Sequence, residues 1–200
     1  MKSKKITKKF NSLNELIDFY NEYFSEWLSN EIMRCLNIIN SNECDCLKAE
    51  YLLVCSSHQH YLAYDLENKQ KAVKIIRDKK FWQHDFNDFE ELYDKVRKSL
   101  IDVHNIGDLA VYDVAKRIGG ILGIEPEKYV YLASGAKKGA EKLLGERIKD
   151  KEKRLPVEKF RKYFPSLSPI HIENILCIMK EYFIKDGIDI TKEYELKIYN

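Results

Sequence analysis

The chain has 200 residues and a mass of 23.7 kDa; it is 44% hydrophobic and 33% charged, with 34 basic against 32 acidic side chains. That apolar share excludes intrinsic disorder, 4 prolines and 8 glycines exclude collagen-like and low-complexity classes, and no apolar run approaches the ~20 residues that span a bilayer. The basic start MKSKKITKKF has no apolar stretch or small-residue cleavage site behind it, so the sequence reads as cytoplasmic. Five cysteines, an odd number, read as free thiols. The near-zero net charge hides local bias: residues 1–10 hold five lysines and no acid, and Lys137 to Lys162 holds eleven bases against five acids.

In chain order, residues 1–11 read as a basic tail. Ser12-Leu-Asn-Glu15 is a capping box, and apolar residues from Leu13 to Ile39 keep one face at helical spacing, predicting one long helix. A second helix is predicted from about Cys44, with Leu47, Tyr51, Val54, Cys55, His58 and Leu62 on its face, and a third over Asn68 to Lys79. Asn87 or Asp88 starts the next, with face Phe89, Leu92, Tyr93, Val96, Leu100 and Val103. After the break at His104 to Asp108 comes a helix carrying Val111, Tyr112, Ala115, Ile118 and Leu122, stopped by Gly123. Lys128 to Leu132 is β-like, Ser134 opens a small-residue helix that Gly145 ends, Val157 to Tyr163 is a short helix, and Ser168 with Pro169 starts the last long one. From Ile188 to Ile198 the period changes to two, which predicts a strand or hairpin arm. The fold class expected is mainly α: one helical domain over residues 12–186, minor β at 128–132, and a C-terminal β appendage at 187–200.

Chemistry concentrates between Val103 and Gly145. A turn reading Asn105-Ile106-Gly107 between two helices can present backbone amides at the start of the second helix, where they bind phosphate without reading sequence. On these residues the stretch from Asp102 to Leu144 resembles the helix-hairpin-helix superfamily, which contains base-excision DNA glycosylases and many non-enzymatic DNA-binding modules. The hairpin element would span residues 88–122. The resemblance implies that the Ile106 and Gly107 amides grip a DNA phosphate, with Asp113, Ala115 and Ile118 on the helix packed behind. The glycosylase branch carries a nucleophilic lysine just after the hairpin glycine, and an aspartate about twenty residues on. Here those places hold Asp108 and Leu109, and the carboxylate-free stretch Tyr129 to Ser134; Glu125 and Glu127 stand nearby in a different context. The resemblance therefore favours binding over base removal, with a glycosylase or lyase of non-standard residues as the enzymatic alternative.

Ser134-Gly-Ala-Lys-Lys-Gly139 is a second candidate anion site: small residues admit a phosphate, and Lys137 and Lys138 neutralise it. The other reading of Gly135, Ala136, Gly139 and Ala140 is close helix packing. Cys44, Cys46, Cys55, His58 and His60 have poor spacing for tetrahedral zinc, so no metal or other cofactor is expected. Phe81, Trp82, His84, Asp85 and Phe86 suit either a pocket lining or a plug between helices, and the plug is favoured.

The expected function is nucleic-acid binding, duplex DNA in particular, through Asn105, Ile106, Gly107, Lys116, Arg117, Ser134, Gly135, Lys137, Lys138 and Lys142, with the N-terminal lysines adding attraction. The alternative is a protein–protein interaction module whose C-terminal segment adds a strand to a partner or a second copy. A fourteen-residue helix of about 21 Å nearly matches five extended residues of about 17 Å, so a strand running back along the second hairpin helix brings both anion sites to one groove.

Overall fold

A computed structural model describes residues 3–54 and 65–199. It is mainly helical with short antiparallel strands, as the sequence predicts. Strand β1 (Ser3–Lys9) precedes α1 (Leu13–Tyr23), α2 (Ser25–Ile39), α3 (Asp45–Val54) and α4 (Leu66–Lys79); a 3-10 turn at Phe81–Gln83 leads into α5 (Phe89–Leu100) and α6 (Asp108–Leu122). Then come β2 (Tyr129–Tyr131), α7 (Ser134–Leu144), β3 (Arg154–Pro156), α8 (Glu158–Arg161), α9 (Pro169–Ile178), the pair β4 (Phe183–Ile184) and β5 (Gly187–Ile188), and β6 (Glu193–Tyr199). Among the described residues no helix is long and apolar enough to cross a membrane.

Local chemistry accounts for the boundaries. Ser12 accepts from the Glu15 amide at 3.2 Å, while the Glu15 carboxylate reaches back to the amide of Asn11, one residue before the position that a capping box predicts. Asp88, Glu91 and Asn87 repeat this arrangement at α5. Ser12→Ala should cost about 1 kcal/mol, lowering the thermal midpoint by about 2–4 °C in a calorimetric scan. The predicted single helix from Leu13 to Ile39 is two helices, broken at Phe24. Its ring turns into the aromatic group of Phe19, Tyr20 and Tyr194, and the Ser25 hydroxyl bonds the Asn21 carbonyl, competing with the helical ladder. Ser168 precedes α9 with Pro169 in the first turn, but its hydroxyl makes no capping bond.

The N-terminal segment is not a tail. β1 pairs antiparallel with β6 along its whole length, from Ser3↔Tyr199 to Lys9↔Glu193, and Lys5 and Lys9 pair with Glu195 at 2.6 Å and Glu193 at 3.3 Å. The C-terminal period-two segment is also divided: Asp189 accepts from the Thr191 amide and hydroxyl, turning the chain between β5 and β6.

Among the described residues, two hydrophobic cores result. The first gathers α3 to α6, with Phe81 and Trp82 buried in it as the predicted plug; the second gathers Phe10 and α1 with α7, α8, α9 and β4. β2 lies between them. Strand alternation sends Tyr129 and Tyr131 into the first core, and Val130 and its successor Leu132 into the second.

Candidate functional site

α5 and α6 form the anticipated helical hairpin. Asn105 takes the left-handed conformation at φ 64°, and its amide side chain donates to Asp65 at 3.4 Å. Ile106 is 3% exposed and donates its amide to Val103 at 3.0 Å, so that amide closes the turn and does not face a ligand. Gly107 remains exposed at the start of α6. The next residue, Asp108, puts a carboxylate where the helix dipole would favour a phosphate, and draws the Lys153 ammonium to 2.7 Å and the Arg97 guanidinium to 3.9 Å.

Lys116 and Arg117 are corrected outright. Both are buried in a junction of α2, α6 and α9, where they cannot meet a polyanion. Arg117 is 0% exposed; it donates to Glu31 at 2.7 Å and to the Leu52 and Leu53 carbonyls of α3 at 2.7 and 3.2 Å. The Lys116 ammonium lies 3.4 Å from Asp113 and 3.6 Å from Glu31. Burial opposes its charge, but Asp113, Glu31 and Glu173 outweigh burial and hold the ammonium above its ordinary range. Glu173, on α9, is 4% exposed, and burial pushes its carboxyl up to about 8. The Tyr112 hydroxyl is buried beside this group and has no hydrogen-bond partner among the described residues. Burial likewise raises the Cys177 thiol to about 11, which makes it a poor nucleophile.

The small residues of α7 serve packing. A Cβ on Gly139 would stand 2.1 Å from the Leu176 carbonyl oxygen, and one on Gly135 would stand 2.6 Å from the Cys177 sulfur, so α7 lies on α9 at backbone distance. Ser134 opens α7 as predicted, but Lys137, Lys138 and Lys142 do not encircle that N-terminus. Lys137 pairs with Asp150 and Lys142 with Glu181, while Lys138 and Lys142 line a groove of about 420 Å³ with Glu141, Gly145, Glu146 and Arg147.

The starts of α6 and α7 nevertheless lie at one end of the hairpin. β2 runs back along the helices: Lys128 pairs with Asp88 at the start of α5, Tyr131 stacks on Tyr112 at 5.2 Å, and Leu132 donates its amide to the Lys153 carbonyl at 2.8 Å. Lys153 thus touches the strand end that leads into α7 through its backbone, and the first residue of α6 through its side chain. The opposite end of the hairpin is acidic, a groove of about 210 Å³ lined by Asp88, Glu90, Glu125 and Glu127 among others.

Glu31 and Glu173 escaped the motif-based reading, which named Asp113 only as part of the helix behind the hairpin. α6 is buried almost all round, and its interior charges Asp113, Lys116 and Arg117 sit at helical neighbour spacing, while Glu173 is the one charged residue of α9; charge isolated in an apolar helix is the available signal. Cys55, His58, His60 and Leu62 lie outside the described residues, among which no group of three or more His, Cys, Asp or Glu side chains could hold a metal. No protein-family model, curated protein or solved structure matches this chain.

Proposed function

We propose that the protein binds nucleic acid, duplex DNA foremost, by its phosphates at the end of the α5–α6 hairpin where α6 and α7 begin. The observation that carries this reading is the unneutralised charge of α7 and the loop that follows it. Lys138, Arg147, Lys149 and Lys151 are exposed, and among the described residues none has a carboxylate within ion-pair distance. The carboxylates that could quench them are committed: Asp150 to Lys137, Glu141 to the Ile148 amide, Glu146 to Lys159 and Glu152 to the Lys149 amide. The loop ends at Lys153, beside exposed Gly107. The acidic far end of the hairpin repels a polyanion and orients it toward the basic end.

The test is a salt titration of binding to a mixed-sequence duplex. The combined variant K138E/R147E/K149E/K151E should bind at least tenfold more weakly, and its log–log salt slope should fall by about 3 to 4, since each neutralised phosphate contributes about 0.9. No binding by the unmodified chain at low salt overturns the function; binding with an unchanged slope in the variant moves it to another face.

The glycosylase alternative loses its nearest lysine, because Lys116 is buried and held as an ammonium, unable to attack a sugar carbon. For the interaction-module alternative, β6 gives one edge to β1 within the chain, and among the described residues its other edge pairs with no strand.

A further inference from the structure

The two ends of the chain meet as a two-stranded ribbon, β1 with β6, and among the described residues no further strand joins either outer edge. One face of the ribbon lies on the second core through Ile6, Tyr194 and Leu196, while Lys5, Thr7, Lys9, Glu193 and Glu195 alternate with them and are exposed. An antiparallel edge carries alternate amides and carbonyls turned away from its partner, a template for another chain. At its start the β6 strand is engaged, because the Tyr182 hydroxyl donates to the Glu193 carbonyl at 2.7 Å. From Tyr194 onward no backbone hydrogen bond from another described element reaches it.

The two edges differ in what they admit. β1 laid antiparallel on a second β1 about Ile6 sets Lys4 against Lys8 twice, and like charges opposite one another are unfavourable. β6 laid on a second β6 about Leu196 sets Glu195 opposite Lys197 twice, Tyr194 opposite Ile198 twice, and Leu196 opposite itself. Moving the centre by one residue sets Glu195 against Glu195 or Lys197 against Lys197. Within the chain Lys197 stands opposite Lys5, so a Glu195 arriving from the far side also offsets that like-charge pair.

We propose that the outer edge of β6 is a homodimer interface, at which two copies of the chain pair β6 antiparallel about a twofold axis at Leu196 and complete a four-stranded sheet in the order β1, β6, β6, β1. A foreign strand would gain the same backbone bonds; the match of charged and apolar positions in β6 to β6 itself selects a second copy. The contact is isologous, so it closes at two copies. The lysines of β1 then stand at both outer edges, where they oppose further growth. Pairing over Tyr194 to Ile198 leaves the Tyr182 bond to Glu193 in place, and it turns a two-stranded ribbon, marginal on its own, into a sheet of stable size.

Sedimentation of the full chain, without nucleic acid, reads this out. The unmodified protein should pass from 23.7 kDa to twice that mass as its concentration rises through the micromolar range, and should go no further. Lys197→Glu and Glu195→Lys should each weaken the dimer by about tenfold or more, since either change turns both oppositions into like charge. A mixture of the two variants should associate again, because one chain then offers only acids at these positions and the other only bases. Lys197→Glu places an acid opposite Lys5 within its own chain, so the ribbon keeps its pairing and a lost dimer is not a lost fold. Hydrogen exchange at dimer-forming concentration should protect consecutive amides along β6, where the ribbon alone protects alternate ones. A chain that stays at 23.7 kDa at every concentration overturns the proposal, and so does growth beyond two copies. Single variants that associate as well as the unmodified chain, or a mixture that does not associate, overturn the pairing about Leu196.

Discussion

Gly139→Ala should destabilise the protein by about 3 kcal/mol, although alanine is the better helix former by about 1 kcal/mol. The added methyl would meet the Leu176 oxygen at 2.1 Å, its carbonyl carbon at 2.9 Å and its Cα at 3.1 Å. Those atoms are backbone of α9, so relief requires α7 to move away from α9 as a body. Both helices supply the second core with Ala136, Ala140, Leu143, Ile172, Ile175 and Leu176, and separation uncovers these side chains together. Gly107→Ala supplies the contrast: no atom lies within 4 Å of its Cβ, and the residue starts α6 at φ −88°. That substitution should change stability by no more than about 0.5 kcal/mol. Urea midpoints of the two variants compare them directly. Equal midpoints would remove the close approach of α7 to α9.

The same glycines show where sequence reasoning stops. Gly135, Ala136, Gly139 and Ala140 suit a phosphate seat or a tight helix contact equally well, because both need an absent side chain, and what decides is the element placed opposite, α9, which begins thirty residues later. Features set by nearest neighbours were legible: the Ser12 and Asp88 caps, the Gly123 and Gly145 stops with positive φ, and the hairpin around Asn105. The break at Phe24 was not, since no glycine or proline marks it and part of the aromatic group its ring joins, Tyr194, is far away in sequence. β3 is three residues long, too short for a period to appear, and exists because β2 offers it an edge. The largest misreading concerned Lys116 and Arg117. Basic residues in the middle of an amphipathic pattern read as solvated, but α6 is enclosed on several sides by α2, α3 and α5 together, and its polar face is covered by Glu31 and Glu173 from elements far away in sequence.

Arg117→Met should cost about 3 to 5 kcal/mol, the range for breaking a buried ion pair from one side. Methionine is shorter than arginine but close to it in volume, so the loss is of charge and donors more than of volume. It takes a donor from the Leu52 and Leu53 carbonyls of α3 and the 2.7 Å donor from Glu31. Arg117→Lys keeps the charge but lacks the planar fork that spans Glu31 and two carbonyls at once, so it should recover only part of the stability. Adding Glu31→Gln to Arg117→Met removes the carboxylate left without its 2.7 Å donor, and the pair should be less costly than the sum of the single changes by about 1 to 3 kcal/mol in a double-mutant cycle. Additive costs would mean that the Arg117–Glu31 pair does not carry the loss.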